Sequence, residues 1–447
     1  MSTQTVDTAA AEAIRGNRAG VFWRYWTAST VSRLGDQVTV VALPLIAVVT
    51  LHASAIQVGL ITAAAYVAWL LLGLPAGVLV QRLPLRGLQV TMDLLRGAAV
   101  ASVPLAAALG VLGLAQLIVV ALLIGLANVL FDVGSSTFLP WLVAKEQLTS
   151  RNSLISGSVA ATELAGPSLG GLLVELVGGA AAMLLDAVSY LASAALLRSL
   201  PRAQQPEPSS AASQHPGIRE QIREGWQFVA RHPVIRPCVV GATAVNIVYG
   251  GLMTLTPVFL VRTLEAPAAA VGALMATGGV GSVIGATLTP RLVARIGSGR
   301  ALCWSAVIAS AFALLLPLAG SGWAMLVFAL GSAGFYGGVV VTAIVTRTHR
   351  QTQTPPELLS RVMATARFVS WSTIPVGALA AGAAASTFGP RTALLLLALA
   401  SVASPAIPWP ARSVACVIWP ELQHAVRSPK LIAINAAQPA GRSAARG

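Results

Sequence analysis

Thr162-Glu163-Leu164-Ala165-Gly166-Pro167-Ser168-Leu169-Gly170-Gly171 places a carboxylate, a proline and three glycines inside an otherwise apolar run. Burying an ionisable group in hydrocarbon costs at least roughly 2.5 to 3.5 kcal/mol. The proline removes a backbone donor and strains the preceding turn, while the small residues let neighbouring helices approach. A lipid-facing helix has no use for this combination. Either the stretch is a tight helix crossing with a locally satisfied Glu163, or it is the hinge and coupling site of a protein that moves solutes.

The surrounding composition fixes the solvent. The 447 residues are 56% hydrophobic and only 10% charged, against about 25% charged in soluble domains. Mean hydropathy is +0.77. The chain is therefore expected to be an all-α polytopic membrane protein. Its net charge of +14 does not indicate nucleic acid, because the basic residues fall in short loops between apolar runs, where they set orientation. The first apolar segment reads as a retained span, not a removable signal peptide. Cys238, Cys303 and Cys416 are far apart, so neither a disulfide framework nor a metal cluster is expected. Lys145 and Lys430 are the only lysines, and neither sits in a phosphate-binding loop, so no cofactor is expected and uphill movement would draw on an ion gradient unless a partner chain brings an ATPase.

Windows of about 20 apolar residues predict spans near 22–50, 55–82, 87–110, 114–139, 152–178, 180–199, 237–261, 268–290, 301–320, 322–346, 361–387 and 391–411. These divide the chain into a cytoplasmic tail (1–21), an N-terminal six-helix bundle (22–199), a cytoplasmic linker (200–236), a C-terminal six-helix bundle (237–411) and a cytoplasmic tail (412–447). Within the linker, Ile218, Ile222, Trp226 and Val229 recur at helical spacing among charged residues, the pattern of a helix lying in the membrane surface. Arg82, Arg86, Lys145, Arg151, Arg198, Arg291, Arg295, Arg347 and Arg350 all fall on one side, which is expected to face the cytoplasm together with both termini.

The two halves repeat. Arg82-Leu83-Pro84-Leu85-Arg86 matches Arg291-Leu292-Val293-Ala294-Arg295 at an offset of 209, and Ser150-Arg151 matches Ser360-Arg361 at an offset of 210. Two independent loops with nearly one offset mark a duplicated six-helix unit. Asp36 then corresponds to about Asn246 and Glu163 to about Thr373, so the acids within spans belong to the first half alone.

Candidate residues follow from depth. Asp36 and Glu163 reach the middle of the membrane and are the proton-coupling candidates. Arg33, three residues from Asp36, shares its helical face, and a permanent Arg33–Asp36 structural pair is the competing reading. Asp93 and Arg96 are expected to join Arg82 and Arg86 in a cytoplasmic gate that holds one conformation and breaks in the other. Asn128, Asn246 and Arg367 are candidates for a substrate cavity. Asp132 and Asp186 are weaker sites, near opposite ends of their helices. Trp23, Tyr25, Trp26, Tyr66 and Trp69 either line that cavity or anchor the helices at the interface.

On Ser32 to Asp36, Gly77 to Arg96, Ile218 to Arg236 and Glu357 to Ala364, the chain resembles the major facilitator superfamily, in the bacterial exporter branch that includes macrolide efflux proteins and the enterobactin exporter. The resemblance spans about 20–410. It implies twelve transmembrane helices as two six-helix repeats with the site between them near the midplane. Gly166-Pro167-Ser168-Leu169-Gly170-Gly171 looks like the core of the antiporter motif of the fifth helix, which implies export against proton entry. The sequence departs from the family pattern at Gln81, where an acid is usual, and at Thr162, where a glycine is usual. The implied cargo is a drug or antibiotic-like small molecule moved across a bacterial inner membrane by a monomer. A siderophore or other endogenous metabolite, or a non-transporting sensor on the same fold, are the alternatives. No enzymatic constellation is visible.

Overall fold

A computed structural model describes residues 3–73, 75–81, 83–143, 148–200 and 218–402. Fifteen α-helices run through the described residues: α1 (Thr3–Leu45), α2 (Ala55–Leu72), α3 (Ala76–Gln81), α4 (Leu85–Ala108), α5 (Leu114–Leu142), α6 (Leu148–Val177), α7 (Gly179–Arg198), α8 (Ile218–Arg231), α9 (Ile235–Arg262), α10 (Ala268–Ile296), α11 (Ser298–Ala313), α12 (Met325–Gln353), α13 (Pro356–Trp371), α14 (Ile374–Phe388) and α15 (Pro390–Val402). There is no strand among them. With no water in the bilayer core to satisfy backbone groups, this is the way an open chain crosses it.

Ten segments are long and apolar enough to span a membrane by length and composition. Helix α6 falls outside that set because Glu163, Glu175, Pro167 and its glycines dilute its hydropathy, and α15 is shorter. Counted with them, the fold is twelve helices in two six-helix repeats. The second predicted span, 55–82, is broken between α2 and α3, and the eleventh is broken at Ser372 and Thr373 between α13 and α14. The latter break lies just before Pro375, the counterpart of Pro167, through which α6 stays helical. The first helix begins at Thr3, so the polar start of the chain continues the same helix that enters the membrane. Arg82, Lys145, the linker at 201–217 and the tail from 403 lie outside the described residues.

In the first half α1 packs against α6 and α7, α4 against α5 and α7, and α2 against α5. In the second, α9 packs against α14 and α15, α10 against α12, and α11 against α12. The halves meet chiefly through two helix pairs, α2 with α14 and α6 with α10, and α9 and α13 also touch α2. By the repeat, α10 takes the place of α2 and α13–α14 that of α6, so the two pairs are pseudo-symmetric copies of one crossing. We call the face that carries α8 and the arginine-rich loops the basic face, and the opposite one the far face.

Toward the far face the halves are in direct backbone contact. A Cβ on Gly171 would lie 2.6 Å from the Ala268 carbonyl oxygen and 2.6 Å from Gly272 Cα, and one on Gly59 would lie 2.8 Å from the Ala378 carbonyl oxygen. Ile56 N–H donates to Ser386 Oγ at 3.2 Å, Ala269 N–H to Glu175 Oε2 at 3.4 Å, and the Arg262 guanidinium to the Ala53 carbonyl. Along α6 this contact reaches as far as Glu163 and Leu164, where a Cβ on Gly279 would lie 3.0 Å from Leu164 Cα. A Cβ on Gly157, two turns nearer the basic face, would meet nothing within 4 Å.

Candidate functional site

Two sets of polar residues sit at mid-depth. The inner set is enclosed in the first half, where glycines set its geometry. A Cβ on Gly35 would run into Asp186 and Ser189 of α7, and one on Gly97 would lie 3.3 Å from Tyr190 Cβ. Because these two positions lack side chains, α1, α4 and α7 close around a shared polar centre.

At that centre Arg96 is 2% exposed and forms a salt bridge with Asp93, which is wholly buried one helical turn before it. Its Nη1 donates to Asn128 Oδ1 of α5 at 2.7 Å and lies 3.8 Å from Asp36 Oδ1 of α1. The guanidinium is held between two rings, 4.3 Å from the Phe131 centroid and 4.7 Å from that of Tyr190. Desolvated cation–π contacts of this kind contribute about 2 kcal/mol. The Tyr190 hydroxyl donates to Asp36, and Asp186, buried one turn earlier on α7, accepts from the Thr39 hydroxyl of α1 and from Ser189 Oγ at 3.1 Å.

The outer set faces the space between the halves. Arg33 Nη2 lies 3.4 Å from Asp132 Oδ1, with both side chains about a third exposed at 30% and 38%. Glu163 has no hydrogen bond or ion pair among the described residues, and its charge acts on Arg33, Tyr66 and Tyr249, from α1, α2 and α9. Tyr249 packs edge-on against Tyr336 of α12 at 6.0 Å. Arg367 of α13 stacks between Trp69 of α2 at 4.1 Å and Trp371 at 4.5 Å, and its charge is felt by Asp132 across the boundary between the halves.

This arrangement corrects three expectations. Arg33 and Asp36 do not pair: three residues is about 60° short of a full helical turn, enough for Arg33 to reach Asp132 of α5 while Asp36 turns to α4 and α7. Asp93 and Arg96 are not part of a charge cluster at the basic face with Arg86; they are buried at the middle of the bundle, and Arg86 instead donates to the Arg198 carbonyl at the end of α7. Asn128 is turned inward to Arg96 and is a brace of the inner set, not a lining residue. Arg82 lies outside the described residues. Asn246 sits midway along α9, partly exposed, with no polar partner among the described residues. Gly166 packs on the Gln37 side chain, Gly170 would place a Cβ 3.2 Å from Val38 Cα, and Gly171 faces Gly272, so the Gly166-Pro167-Gly170-Gly171 segment touches α1 and α10 at once.

The structure brings Asp186 into this centre and adds Tyr190, Thr39 and Gly35, which the sequence reading does not single out. The spacing of Asp186 and Tyr190, one turn apart in an apolar helix, was the available signal.

The family of transmembrane secretion effectors matches residues 13–415. The MFS-type transporter y4rN of Sinorhizobium fredii is 31% identical over 358 residues, covering 79% of this chain and 86% of its own. The multidrug efflux pump Tap of Mycobacterium tuberculosis is 27% identical over 403 residues, covering 86% and 92%. Among solved structures, a variant of the nucleoside transporter NupG superposes with a TM-score of 0.74 at 11% identity over 87% of this chain and 99% of its own. An inward-facing bacterial homologue of the lysosomal transporter Spinster gives 0.69 at 15% identity over 90% and 98%. The chain belongs to the transmembrane secretion effector family of the major facilitator superfamily, a multi-pass membrane protein of the branch that includes bacterial exporters.

Proposed function

We propose that the chain exports a drug or antibiotic-like small molecule from a bacterial cell by alternating access, exchanging it for protons. The observation that carries this reading is the position of Glu163. It is an unpaired carboxylate at the depth where the contact between α6 and α10 ends, facing a space bordered by both halves. A carboxylate there can take a proton or a substrate, and either changes the charge at the joint on which the halves turn. Asp36, at the same depth and 23% exposed, is the second proton candidate.

In this reading the basic face is cytoplasmic, both termini lie inside, and the described state, closed at the far face, is open to the cytoplasm. Aromatic residues around Glu163 favour flat lipophilic cargo. The naming of Tap as a multidrug efflux pump supports the same cargo class. The exporter is taken to work as a monomer in the inner membrane, with protons and the substrate as its partners.

The test is ethidium accumulation in everted membrane vesicles under an imposed pH gradient, comparing the parent chain with Glu163→Gln and Asp36→Asn. The expected result is gradient-driven uptake in the parent and at least a tenfold loss in each variant. Equal rates in all three and in vesicles lacking the protein would end the exporter reading for this cargo class.

A further inference from the structure

The inner set has more acid than its base can neutralise. Asp36, Asp93 and Asp186 share one guanidinium, that of Arg96, so with every carboxyl ionised the centre would carry two uncompensated negative charges inside the bundle. Uncompensated charge at that depth is disfavoured by several kcal/mol per ion, and the ordinary relief is protonation.

The contacts distinguish the three carboxyls. Asp93 is in salt-bridge contact with Arg96. Asp36 accepts from the Tyr190 hydroxyl and lies 3.8 Å from Arg96 Nη1, and both contacts suit a carboxylate. Asp186 touches only hydroxyls, those of Thr39 and Ser189, among the described residues. A hydroxyl can give or receive a hydrogen bond, so this setting accommodates a neutral carboxylic acid without leaving a partner unsatisfied.

Among the described residues the surrounding charges offer Asp186 no other counter-ion. On α1 and α4 the charged groups that act on Asp186 are Asp36 and Arg96, and on its own helix Tyr190 feels its charge. On α6, which also packs on α7, Glu163 acts with Arg33, Glu175 accepts from Ala269, and Arg151 stacks on Phe22 at 4.3 Å. We infer that Asp186 is a further proton-binding carboxyl of this protein, holding a proton in the far-face-closed state and exchanging it with Asp36.

The exchange needs no co-reactant. The Oδ–H bond of Asp186 breaks as an Oδ–H bond forms on Asp36, and the proton then leaves from the exposed edge of Asp36 to water. Asp186 is left as a carboxylate that accepts from Thr39 and Ser189. Ionisation of Asp186 places a second negative charge between α1 and α7, so the seam held by Gly35 is the part of the first half that would respond. The direction of proton flow rests on the exporter reading, but the protonation of Asp186 does not.

The test is infrared spectroscopy of the purified full chain in lipid nanodiscs, following the carbonyl stretch of protonated carboxyls as pH is changed. Asp186→Asn, which preserves size and hydroxyl partners, is expected to remove one such band at neutral pH. Gly35→Ala, whose Cβ would push against Asp186, is expected to shift that band while keeping it. If monodisperse Asp186→Asn retains every protonated-carboxyl band of the parent, the inference is overturned.

A second arm uses ethidium in everted vesicles. Asp186→Asn should lose at least tenfold in pH-gradient-driven uptake while keeping ethidium exchange in the absence of a gradient. Unchanged gradient-driven uptake would also overturn the inference. If the parent itself moves no ethidium, the exporter reading fails for that probe, and the infrared band still decides the protonation of Asp186.

Discussion

Replacing Gly171 by alanine puts a methyl group into a close backbone contact between the halves. Its carbon would lie 2.6 Å from the Ala268 carbonyl oxygen, 2.6 Å from Gly272 Cα and 2.9 Å from Gly272 N. Ordinary contact between such atoms begins near about 3.5 Å, so α6 and α10 must separate by about 1 Å. All three obstacles are backbone atoms, so no side chain can swing aside. Overpacking of this kind costs about 1–3 kcal/mol. On the alternating-access reading the penalty applies only while the far face is closed, because the two helices would part there in the opposite state. The conformational equilibrium should therefore shift by roughly 5- to 150-fold toward the far-face-open form.

The shift can be read with a cysteine in place of Ala53, which is 3% exposed and whose carbonyl receives the Arg262 bond across the closed interface. With Cys238, Cys303 and Cys416 changed to serine, a membrane-impermeant maleimide added at the far face should label this site at least fivefold faster in Gly171→Ala than in the parent, by the same estimate. Gly157→Ala is the control, since a Cβ there meets nothing within 4 Å. Equal labelling of parent and Gly171→Ala, both folded, would refute the assignment of this contact as the closure of the far face.

Two further outcomes follow from the same geometry. Arg96→Met should cost about 3–5 kcal/mol of stability, because it leaves the buried Asp93 without a counter-charge; adding Asp93→Asn should restore part of the loss in a thermal unfolding assay in detergent. His232, in the corner between α8 and α9, accepts through Nδ1 from the backbone N–H groups of Val234 and Ile235 at 3.2 Å each. Burial holds its pKa below the ordinary 6.5, so the unfolded corner binds the proton more readily than the folded one. The corner should be fully stable above about pH 6.5 and loosen as pH falls below it, seen as lower protection of the Val234 and Ile235 amides relative to their intrinsic exchange rates on acidification; protection that rises would reverse the sign of the argument.

How much was legible in the chain depends on which physical signal a residue gives. Span number, the repeat and the special character of 162–171 were readable because hydrophobic length, loop charge and Gly/Pro content act locally. The resemblance to the exporter branch was readable from motifs, and the match across residues 13–415 agrees with it. The partners of the buried charges were not readable. Arg33 and Asp36 look like a pair in sequence because they share a helical face, yet their partners come from α5, α4 and α7, as many as 154 residues away.

The sequence by itself determined the solvent, the helices, their duplication and the restriction of membrane-embedded acids to the first half, since each follows from composition and period along one chain. Only the tertiary structure decided which acid meets which base. Ion pairing depends on distances of a few ångströms between helices, and those are set by how closely Gly35, Gly97 and Gly171 allow their neighbours to approach. The 162–171 stretch shows the division within ten residues. Its glycines and proline announced a close crossing, but that the crossing partner is Gly272 of α10, with Glu163 at the edge of the contact, became visible only when the two halves were packed together.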